Sequence, residues 1–405
     1  MFDPSEINLA DPEFRCDPYP AYGRMRDEAP LCRVRFGRLF RSWLVTRYQD
    51  VVTTLKDERF TKDPQTAKRS GARGTEMRLL RITAPISRNL LTLDPPDHTR
   101  LRALVQKVFT ASLVESLRAR VESVAEELLH RASASGHMDV IRDYALPLTL
   151  TVITEILGVP FPDRKHFQRW TNAVIDVSGG PQSVWAAING LLFLRYNRRL
   201  IRSRREKPAG DLLTSLIAAE ESGQKLDERE LLNMVFILII AGYETTVNLI
   251  GNGTLTLLEH PAELARLTAD PSLMPSAVEE LLRYESPVEL ATPRWTLCDV
   301  ALGGITIPKG SMVWAGIASA NRDPQAFERA DILDLGRQPN RHLAFGQGIH
   351  YCVGAPLARL EAQIAFSALL RHFPDMRLAQ PRKALRWRSS PVLRGLEALP
   401  VILRD

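Results

Sequence analysis

The feature that most constrains this chain is a glycine-rich loop around one cysteine, within residues Phe345–Glu361. Three glycines flank Cys352, and glycine accepts positive φ angles and close backbone approach without a side-chain clash. Strong helix formers follow from Ala355 onwards, with a proline where the first helical turn tolerates one. The sequence therefore predicts a tight loop whose cysteine faces a helix N-terminus, where the thiolate is favoured over the thiol.

A lone cysteine in such a loop has two interpretations. Free cysteine commonly behaves as a small buried hydrophobic residue, so Cys352 could serve packing alone. A thiolate held in this way also suits a metal ion with a single protein ligand, and haem iron is such a case. The local residues leave both interpretations open.

The loop resembles the haem-binding loop of the cytochrome P450 family through the string Phe345-Gly346-x-Gly348-x-His350-x-Cys352-x-Gly354. The remaining motifs follow in that family's order over essentially the whole chain. By this resemblance Cys352 is the axial metal ligand of haem b (iron protoporphyrin IX), Phe345 packs beside the sulfur and Gly354 belongs to the cofactor site. The implied fold is mainly α with small β-sheets (α+β), a triangular helical prism with haem between a long central helix and the helix after the cysteine.

Composition predicts one globular unit. The length of 405 residues alone favours two or three domains, but no linker, low-complexity tract or repeat divides the chain, so we expect a single domain over residues 1–405. The N-terminus lacks a signal peptide, and the most apolar stretch, Met234–Gly242, is shorter than the ~20 residues that span a bilayer. Four scattered cysteines argue against disulfides. We therefore expect a cytoplasmic monomer without a membrane anchor.

The net charge of +6 is compatible with nucleic acid or with an acidic protein partner. Its densest source is a basic run within residues 195–207, which is most simply a solvated helix face. No zinc finger or aromatic RNA-reading motif accompanies the run, so no nucleic-acid partner is predicted.

His98 and Arg102 lie four residues apart in a predicted helix that Asp94 can cap. The pair could clamp a carboxylate, or it could be an ordinary surface pair. The family resemblance implies that His98 and Arg102 bind the haem propionates, with Arg294 and His350 as further donors. Arg100 and Lys107 on the same helix could face an electron donor, or they could be exposed charges without a specific role.

A long helix is predicted from the capping box Asp227-x-x-Glu230 to about Glu259. Ala241 and Gly242, at its middle, are small enough for a planar cofactor to approach, and the Thr245 hydroxyl can divert a helix hydrogen bond and open a local kink. Glu244 could form an internal salt bridge, since a buried glutamate is costly unless paired. The string Ala241–Thr246 resembles the family's oxygen-activation motif, which implies catalytic roles for Glu244 and Thr245 and leaves Thr246 as a neighbour.

Two further sets of residues follow from the same resemblance. Glu280, Arg283 and Arg337 match the family's structural Glu-Arg-Arg triad, which supports folding and not chemistry.

The predicted substrate pocket takes apolar residues from a roof loop, a segment before the strands and a late turn: Leu80, Ile82, Ile86, Leu90, Leu91, Val288, Leu290, Ala291, Val392 and Leu393. The lid helices could add Phe167, Trp170, Val174 and Ile175. Glu289 could hold a substrate amine, or it could face solvent.

The resemblance implies a haem-thiolate monooxygenase that inserts one atom of O2 into a C–H bond or a C=C bond of a lipophilic small molecule, such as a polyketide, a macrolide or a steroid-like compound. The sequence has no dinucleotide fingerprint and no cysteine cluster for iron–sulfur ligation, so electrons are expected from NAD(P)H through a ferredoxin reductase and a ferredoxin. The alternatives are a peroxide-driven peroxygenase and a non-catalytic haem sensor. Glu244 and Thr245 weigh against the peroxygenase, and oxygen consumption with product formation would exclude the sensor.

Overall fold

Helices form most of the structure. The computed structural model describes residues 7–36, 40–72, 88–164, 166–167, 169–170, 183–221, 226–390 and 392–403. The α-helices of the described residues, in chain order, are α1 (Pro12–Cys16), α2 (Tyr19–Glu28), α3 (Tyr48–Lys56), α4 (Pro64–Arg69), α5 (Asp97–Val108), α6 (Ala111–Ser116), α7 (Arg118–Ser133), α8 (Leu146–Ile156), α9 (Ser183–Glu206), α10 (Leu212–Glu221), α11 (Glu228–Glu259), α12 (Pro261–Ala269), α13 (Met274–Tyr284), α14 (Ile317–Ala320) and α15 (Ala355–His372). A π-helix, Val140–Ala145, directly precedes α8.

The strands are short and form small sheets. Those of the described residues are β1 (Leu31–Phe36), β2 (Phe40–Val45), β3 (Phe60–Thr61), β4 (His137–Asp139), β5 (Arg294–Thr296), β6 (Val300–Leu302), β7 (Ile305–Ile307), β8 (Met312–Ala315), β9 (Arg377–Leu378) and β10 (Pro400–Ile402). They pair as a five-stranded sheet in the order β1-β2-β8-β5-β3, a three-stranded sheet β4-β10-β9 and the hairpin β6-β7. The prediction of a mainly α fold with small sheets is confirmed.

The long helix α11 begins and ends where the sequence predicts. Its 32 residues span roughly 48 Å at 1.5 Å per residue. The Asp227 side chain accepts a hydrogen bond from the Glu230 backbone N–H, and the Glu230 carboxylate accepts one from the Asp227 N–H, so the capping box is present. A Cβ on Gly251 would lie 2.2 Å from Ile141, and one on Gly253 would lie 2.5 Å from Phe366. Small residues thus let the neighbouring chain segments approach the central helix closely.

Helix α11 is more apolar over its length than the sequence analysis predicted. It is long and apolar enough to cross a membrane by length and composition, because its apolar stretch extends well beyond Met234–Gly242. However, 67% of its most apolar window is buried within the protein. This burial is typical of the core helix of a globular protein.

Two local predictions need correction. Asp94 does not cap α5 with its side chain: its carboxylate accepts hydrogen bonds from the Thr61 hydroxyl and from the backbone N–H groups of Lys62 and Asp63. The sequence from Ala111 to Arg131 predicts one amphipathic helix, but the structure divides it at Leu117 into α6 and α7. Local helix propensity does not reveal either tertiary contact or this short interruption.

Candidate active site

The cysteine loop, Phe345–Gly354, folds back on itself before α15. The Cys352 N–H donates to the Phe345 carbonyl at 2.9 Å, and the Gly346 N–H donates to Leu343 at 2.8 Å. Gly346 and Gly348 have φ angles of 70° and 74°, which side-chain-bearing residues rarely adopt. The glycines therefore serve the loop geometry, as predicted.

The Cys352 sulfur lies at the N-terminus of the 18-residue helix α15. Protein atoms surround the side chain on several sides, and burial raises the pKa of the Cys352 thiol. Hydrogen bonds from the backbone of Gly354 and Ala355 and the nearby charge of Arg102 oppose that rise. The side chain nevertheless keeps accessible surface. It thus combines accessible surface with nearby amide donors, an arrangement that suits a thiolate ligand.

Ion pairs fix α15, the helix that follows the cysteine loop, to α13. Arg359, in α15, lies over the Phe345 ring with its guanidinium carbon 4.5 Å from the ring centroid. The same guanidinium donates to Glu279 through Nε at 2.7 Å and Nη2 at 2.8 Å. His342 Nε2 lies 3.0 Å from Glu279 Oε2, the oxygen that also accepts from Arg359 Nη2. Arg359 therefore joins α15 to α13 and packs on Phe345 of the cysteine loop.

These contacts predict an acid-sensitive contribution to stability. Burial raises the pKa of Glu279, but hydrogen bonds from Arg359 and His342 outweigh it and lower the pKa to about 2. Because the folded-state pKa is depressed, the contribution is present above about pH 4.5 and is lost as the pH falls towards about 2. We expect Glu279→Gln to reduce the free energy of unfolding near neutral pH and progressively less below about pH 4.5.

Denaturant unfolding at a series of pH values measures this difference. Glu127→Gln is the control, since Glu127 forms an exposed i,i+4 pair with Arg131. A wild-type minus Glu279→Gln difference that stays constant from about pH 6 to about pH 3 would contradict the assignment.

One face of α11 is open near its middle. Ala241 is exposed although it lies within a largely buried helix, and Ile237, Leu238, Ile240 and Thr245 are partly exposed. We call these five residues the open face. The Thr245 hydroxyl donates to the Ala241 carbonyl at 2.7 Å, as the sequence predicts, while the helix remains unbroken. Thr246 is buried and donates to Gly242, which agrees with its predicted role as a neighbour.

Gly242 is partly exposed and also lies close to α8. A Cβ at Gly242 would lie 3.1 Å from Cδ1 of Ile153 in α8. Gly242 therefore permits close packing of α8 against α11, and Ala241 is the small residue that borders the open face.

Glu244 is buried and forms the internal ion pair that was one of its two interpretations. Its Oε1 lies 3.4 Å from Arg388 Nη1. Arg388 is 144 residues away along the chain, and its Nε donates to the Leu396 carbonyl. No local sequence signal pointed to Arg388, because only the fold brings the two residues together.

A buried group of basic residues adjoins the cysteine loop. The His98 and His350 rings pack against each other with centroids 4.3 Å apart and planes inclined by 58°, and neither nitrogen of His98 has a hydrogen-bond partner in the described residues. Arg294 is 4% exposed and Lys62 is 5% exposed. We call this group the cationic cluster and define it as Lys62, His98, Arg102, Arg294 and His350. It unites four predicted propionate-binding residues with one that the sequence analysis missed.

The cationic cluster lacks enough negative charge. Burial and the charges of Arg102 and Lys62 lower the pKa of His98 to about 4. Burial also lowers the pKa of Arg294 to about 10, opposed only by Asp94. Arg102 donates to the Tyr351 carbonyl at 2.6 Å and to no carboxylate within the described part of the chain. Such a site is suited to an anion that balances the buried charges.

Two predicted pocket segments lie side by side. Val288 and Leu393 form an antiparallel bridge, and the Glu289 N–H donates to the Val392 carbonyl at 2.8 Å. Val288, Val392 and Leu393 keep accessible surface, as does Ala291.

Several other pocket predictions fare differently. Leu290 is 1% exposed within the cluster that contains Trp295, which corrects its predicted place on the pocket wall. Leu90 is 9% exposed, Leu91 is partly exposed, and Phe167 is fully buried against Phe193. Trp170 is partly exposed and packs near Tyr196. The following predicted residues lie outside the described residues: Leu80, Ile82, Ile86, Val174 and Ile175.

Both interpretations of Glu289 are wrong. The side chain is buried, accepts a hydrogen bond from the Tyr22 hydroxyl at 2.7 Å and pairs with Arg15. Arg15 also donates to the Leu393 carbonyl at 2.8 Å. Glu289 therefore ties α1 and α2 to the pocket turn and is not available to a substrate. Arg100 likewise pairs with Glu230 at the start of α11.

Comparison with known proteins identifies the family. The polyketide biosynthesis cytochrome P450 PksS of Bacillus subtilis (strain 168) is 46% identical over 399 residues, which cover 96% of this chain and 97% of PksS. The chain is a member of the cytochrome P450 family. The family model for cytochrome P450 matches residues 182–384. The cytochrome P450 monooxygenase PikC of Streptomyces venezuelae is 44% identical over 401 residues, covering 98% of this chain and 93% of PikC.

Solved structures agree with this cytochrome P450 assignment. The structure of PksS, from the bacillaene polyketide synthase of Bacillus subtilis 168, has a TM-score of 0.91 and 44% identity and covers 100% of both chains. The tirandamycin C-bound monooxygenase TamI has a TM-score of 0.88 and 40% identity, covering 97% of this chain and 99% of that one.

This cytochrome P450 is therefore an oxidoreductase, a monooxygenase of lipophilic small molecules. It uses haem, O2 and electrons drawn from NAD(P)H through redox partners. The residues fit such a cofactor: the accessible sulfur of Cys352 suits the iron, and the uncompensated cationic cluster suits carboxylates.

Proposed function

We propose that this cytochrome P450 inserts one atom of O2 into an unactivated C–H bond, or a C=C bond, of a bulky polyketide, macrolide or steroid-like substrate. The observation that carries the proposal is the cysteine loop. It holds the Cys352 sulfur beside backbone amides, and it places His350 in the cationic cluster, whose positive charge is not balanced by carboxylates of the described residues. This combination matches a cofactor with both a metal ion and carboxylates. Relatives named for polyketide biosynthesis and for mycinamicin IV hydroxylation and epoxidation support the substrate class.

In this proposal Cys352 binds the haem iron, while His98, Arg102, Arg294 and His350 bind the propionates. Ala241 borders the cofactor, and Gly354 and Phe345 support the sulfur. When bound, the haem supplies oxygen activation and transfer, which protein side chains cannot perform. Residues 1–405 act as one cytoplasmic, monomeric catalytic domain, with electrons from a ferredoxin and a ferredoxin reductase.

Substrate selection is assigned to apolar side chains with accessible surface. Val288, Ala291, Val392 and Leu393 converge where the 286–294 segment meets the late turn. Arg15 positions that turn through the Leu393 carbonyl. An apolar wall with few polar groups favours a lipophilic ligand, because burying a polar group without a partner is costly.

Glu244 and Thr245 move protons in this proposal. Arg388 pairs with the Glu244 carboxylate, one residue before Thr245, and Thr245 can exchange its hydrogen bond to Ala241 for one to a ligand at the open face. A carboxyl group and a hydroxyl group on one helix provide a relay from the interior to that face.

Replacing Thr245 by valine is expected to reduce product formed per NAD(P)H consumed by about a hundredfold, the lower range of a general acid–base contribution. Haem content and the thiolate spectrum should be unchanged, because the valine keeps the shape of the helix surface. Thr246→Val is the matched control, since its buried hydroxyl contacts only the Gly242 carbonyl among its described partners. Equal coupling in wild type and Thr245→Val would refute the role.

The proposed function is tested with purified haem-loaded protein and a panel of macrolides, polyketides, steroids and fatty acids. A ligand of the proposed class should shift the Soret band towards high spin. Turnover with ferredoxin, reductase and heavy-isotope dioxygen should then add one labelled oxygen atom to it. Binding without labelled product would contradict the proposal.

A further inference from the structure

Lys62 is a buried lysine of the cationic cluster to which the proposed function assigns no role. It follows β3 and is 5% exposed. Within the described residues its ammonium group has no ion pair, and nearby Asp94 uses its carboxylate for the Thr61 hydroxyl and for backbone N–H groups. A buried ammonium without a partner is expensive, so the site calls for an anion.

Strand register places Lys62 beside Arg294. Strands β3 and β5 are antiparallel, with Thr61 opposite Trp295. The next position of that register sets Lys62 against Arg294. Burial, and then the charge of Arg294, lower the pKa of Lys62 well below its usual value, and a neighbouring carboxylate would oppose that shift. The charge of Lys62 is also felt at both His98 and His350. Lys62 thus belongs to the cationic cluster by geometry and by charge.

The charge balance of the cationic cluster matches a dicarboxylate. In their ordinary protonation states Lys62, Arg102 and Arg294 contribute three positive charges and Asp94 one negative charge, whereas His98 and His350 are mostly neutral at neutral pH. The excess is two positive charges, and protoporphyrin carries two propionates. Without Lys62 the cluster would be one charge short of neutralising them.

We propose that Lys62 is a haem-propionate-binding residue of this protein. The inference rests on the proposed placement of haem at Cys352. It assigns a cofactor role to a lysine that precedes α4, outside every motif that the sequence analysis identified. The ammonium would give the propionate a charge-assisted hydrogen bond inside a low-dielectric site, where such bonds are strong.

The test compares haem release from purified holoenzyme to excess apomyoglobin for wild type, Lys62→Met and Lys68→Met. Lys68 lies on α4, six residues further along the chain, and is exposed, so Lys68→Met is the matched control. We expect Lys62→Met to release haem about ten- to a hundredfold faster, the range of one hydrogen bond to a charged group. Lys68→Met should release haem at the wild-type rate.

A second readout separates a propionate contact from general loosening. Resonance Raman spectra should show a shifted propionate bending mode in Lys62→Met and Lys62→Gln, and Lys62→Arg should restore both the mode and slow release. Wild-type release in Lys62→Met would overturn the proposal, as would faster release with an unchanged propionate mode. Should Lys62→Met yield no holoenzyme, Lys62→Gln carries the same two measurements.

The wild-type spectrum distinguishes the two levels of the argument. If the reduced wild-type protein with carbon monoxide lacks the thiolate band, the placement of haem at Cys352 fails. If that band is present and the Lys62 variants behave as wild type, only the role of Lys62 fails.

Discussion

Replacing Glu280 by alanine is expected to leave little folded protein. Glu280 is fully buried and accepts hydrogen bonds from Arg283 Nε and Nη2 at 2.8 Å each and from Arg337 Nε at 3.1 Å. Its Oε1 also accepts from the Asp334 N–H at 2.9 Å. Removing the carboxylate leaves two guanidinium groups without their partner. Such a loss costs about 3–5 kcal/mol when the ion pair is buried. That loss is a large fraction of a typical stability of about 5–15 kcal/mol.

Urea unfolding and the yield of soluble haem protein measure this effect. Glu127→Ala is the control, because the side chains of Glu127 and Arg131 are both more than half exposed, and such pairs contribute about 0–1 kcal/mol. Similar free energies of unfolding for Glu280→Ala and Glu127→Ala would contradict the structural role of the Glu280–Arg283–Arg337 triad.

Replacing Cys352 by serine should abolish monooxygenase turnover. A serine hydroxyl does not ionise at neutral pH, so the iron would lose the anionic sulfur that pushes electron density towards oxygen-bond cleavage. The backbone amides of Gly354 and Ala355 would remain, so the loop itself should fold. Product formation with ferredoxin and reductase, measured per haem, checks the result.

Cys298→Ser is the matched control for this experiment. Cys298 is also a free, exposed cysteine, but it lies between β5 and β6, away from the cysteine loop. We expect Cys298→Ser to keep wild-type turnover and haem content. Turnover by Cys352→Ser at a rate comparable to that of Cys298→Ser would show that another group holds the iron.

Features coded by adjacent residues were predicted well. The capping box fixed the start of α11, and the glycines around Cys352 predicted a turn that needs positive φ angles at Gly346 and Gly348. Glu280 and Arg283 lie one turn apart, so their pairing follows from helix geometry alone. Such features depend on residues that are close in the sequence, so they can be predicted from it.

Features set by tertiary contacts were missed or misread. Arg388 reaches Glu244 from 144 residues away, and Lys62 meets Arg294 only through strand register. Glu289 appeared free because its partner, Arg15, lies 274 residues earlier. No periodicity or motif predicts these contacts between distant residues, since the contacts form only when the sheets and helices pack together.

The wrong detail at Leu290 has the same cause. Leu290 was assigned to the pocket wall as an apolar residue of a segment expected to line the pocket. Its actual orientation depends on how that segment packs on Trp295. Sequence identifies which residues are small or apolar, whereas packing decides which way each one faces.

The most direct test of the account is the absorption spectrum of the dithionite-reduced protein after addition of carbon monoxide. Axial ligation by the Cys352 thiolate predicts the red-shifted Soret band that is characteristic of cysteine-ligated ferrous haem. A reduced, haem-containing protein that shows only the band of histidine-ligated or neutral-ligand haem would contradict it.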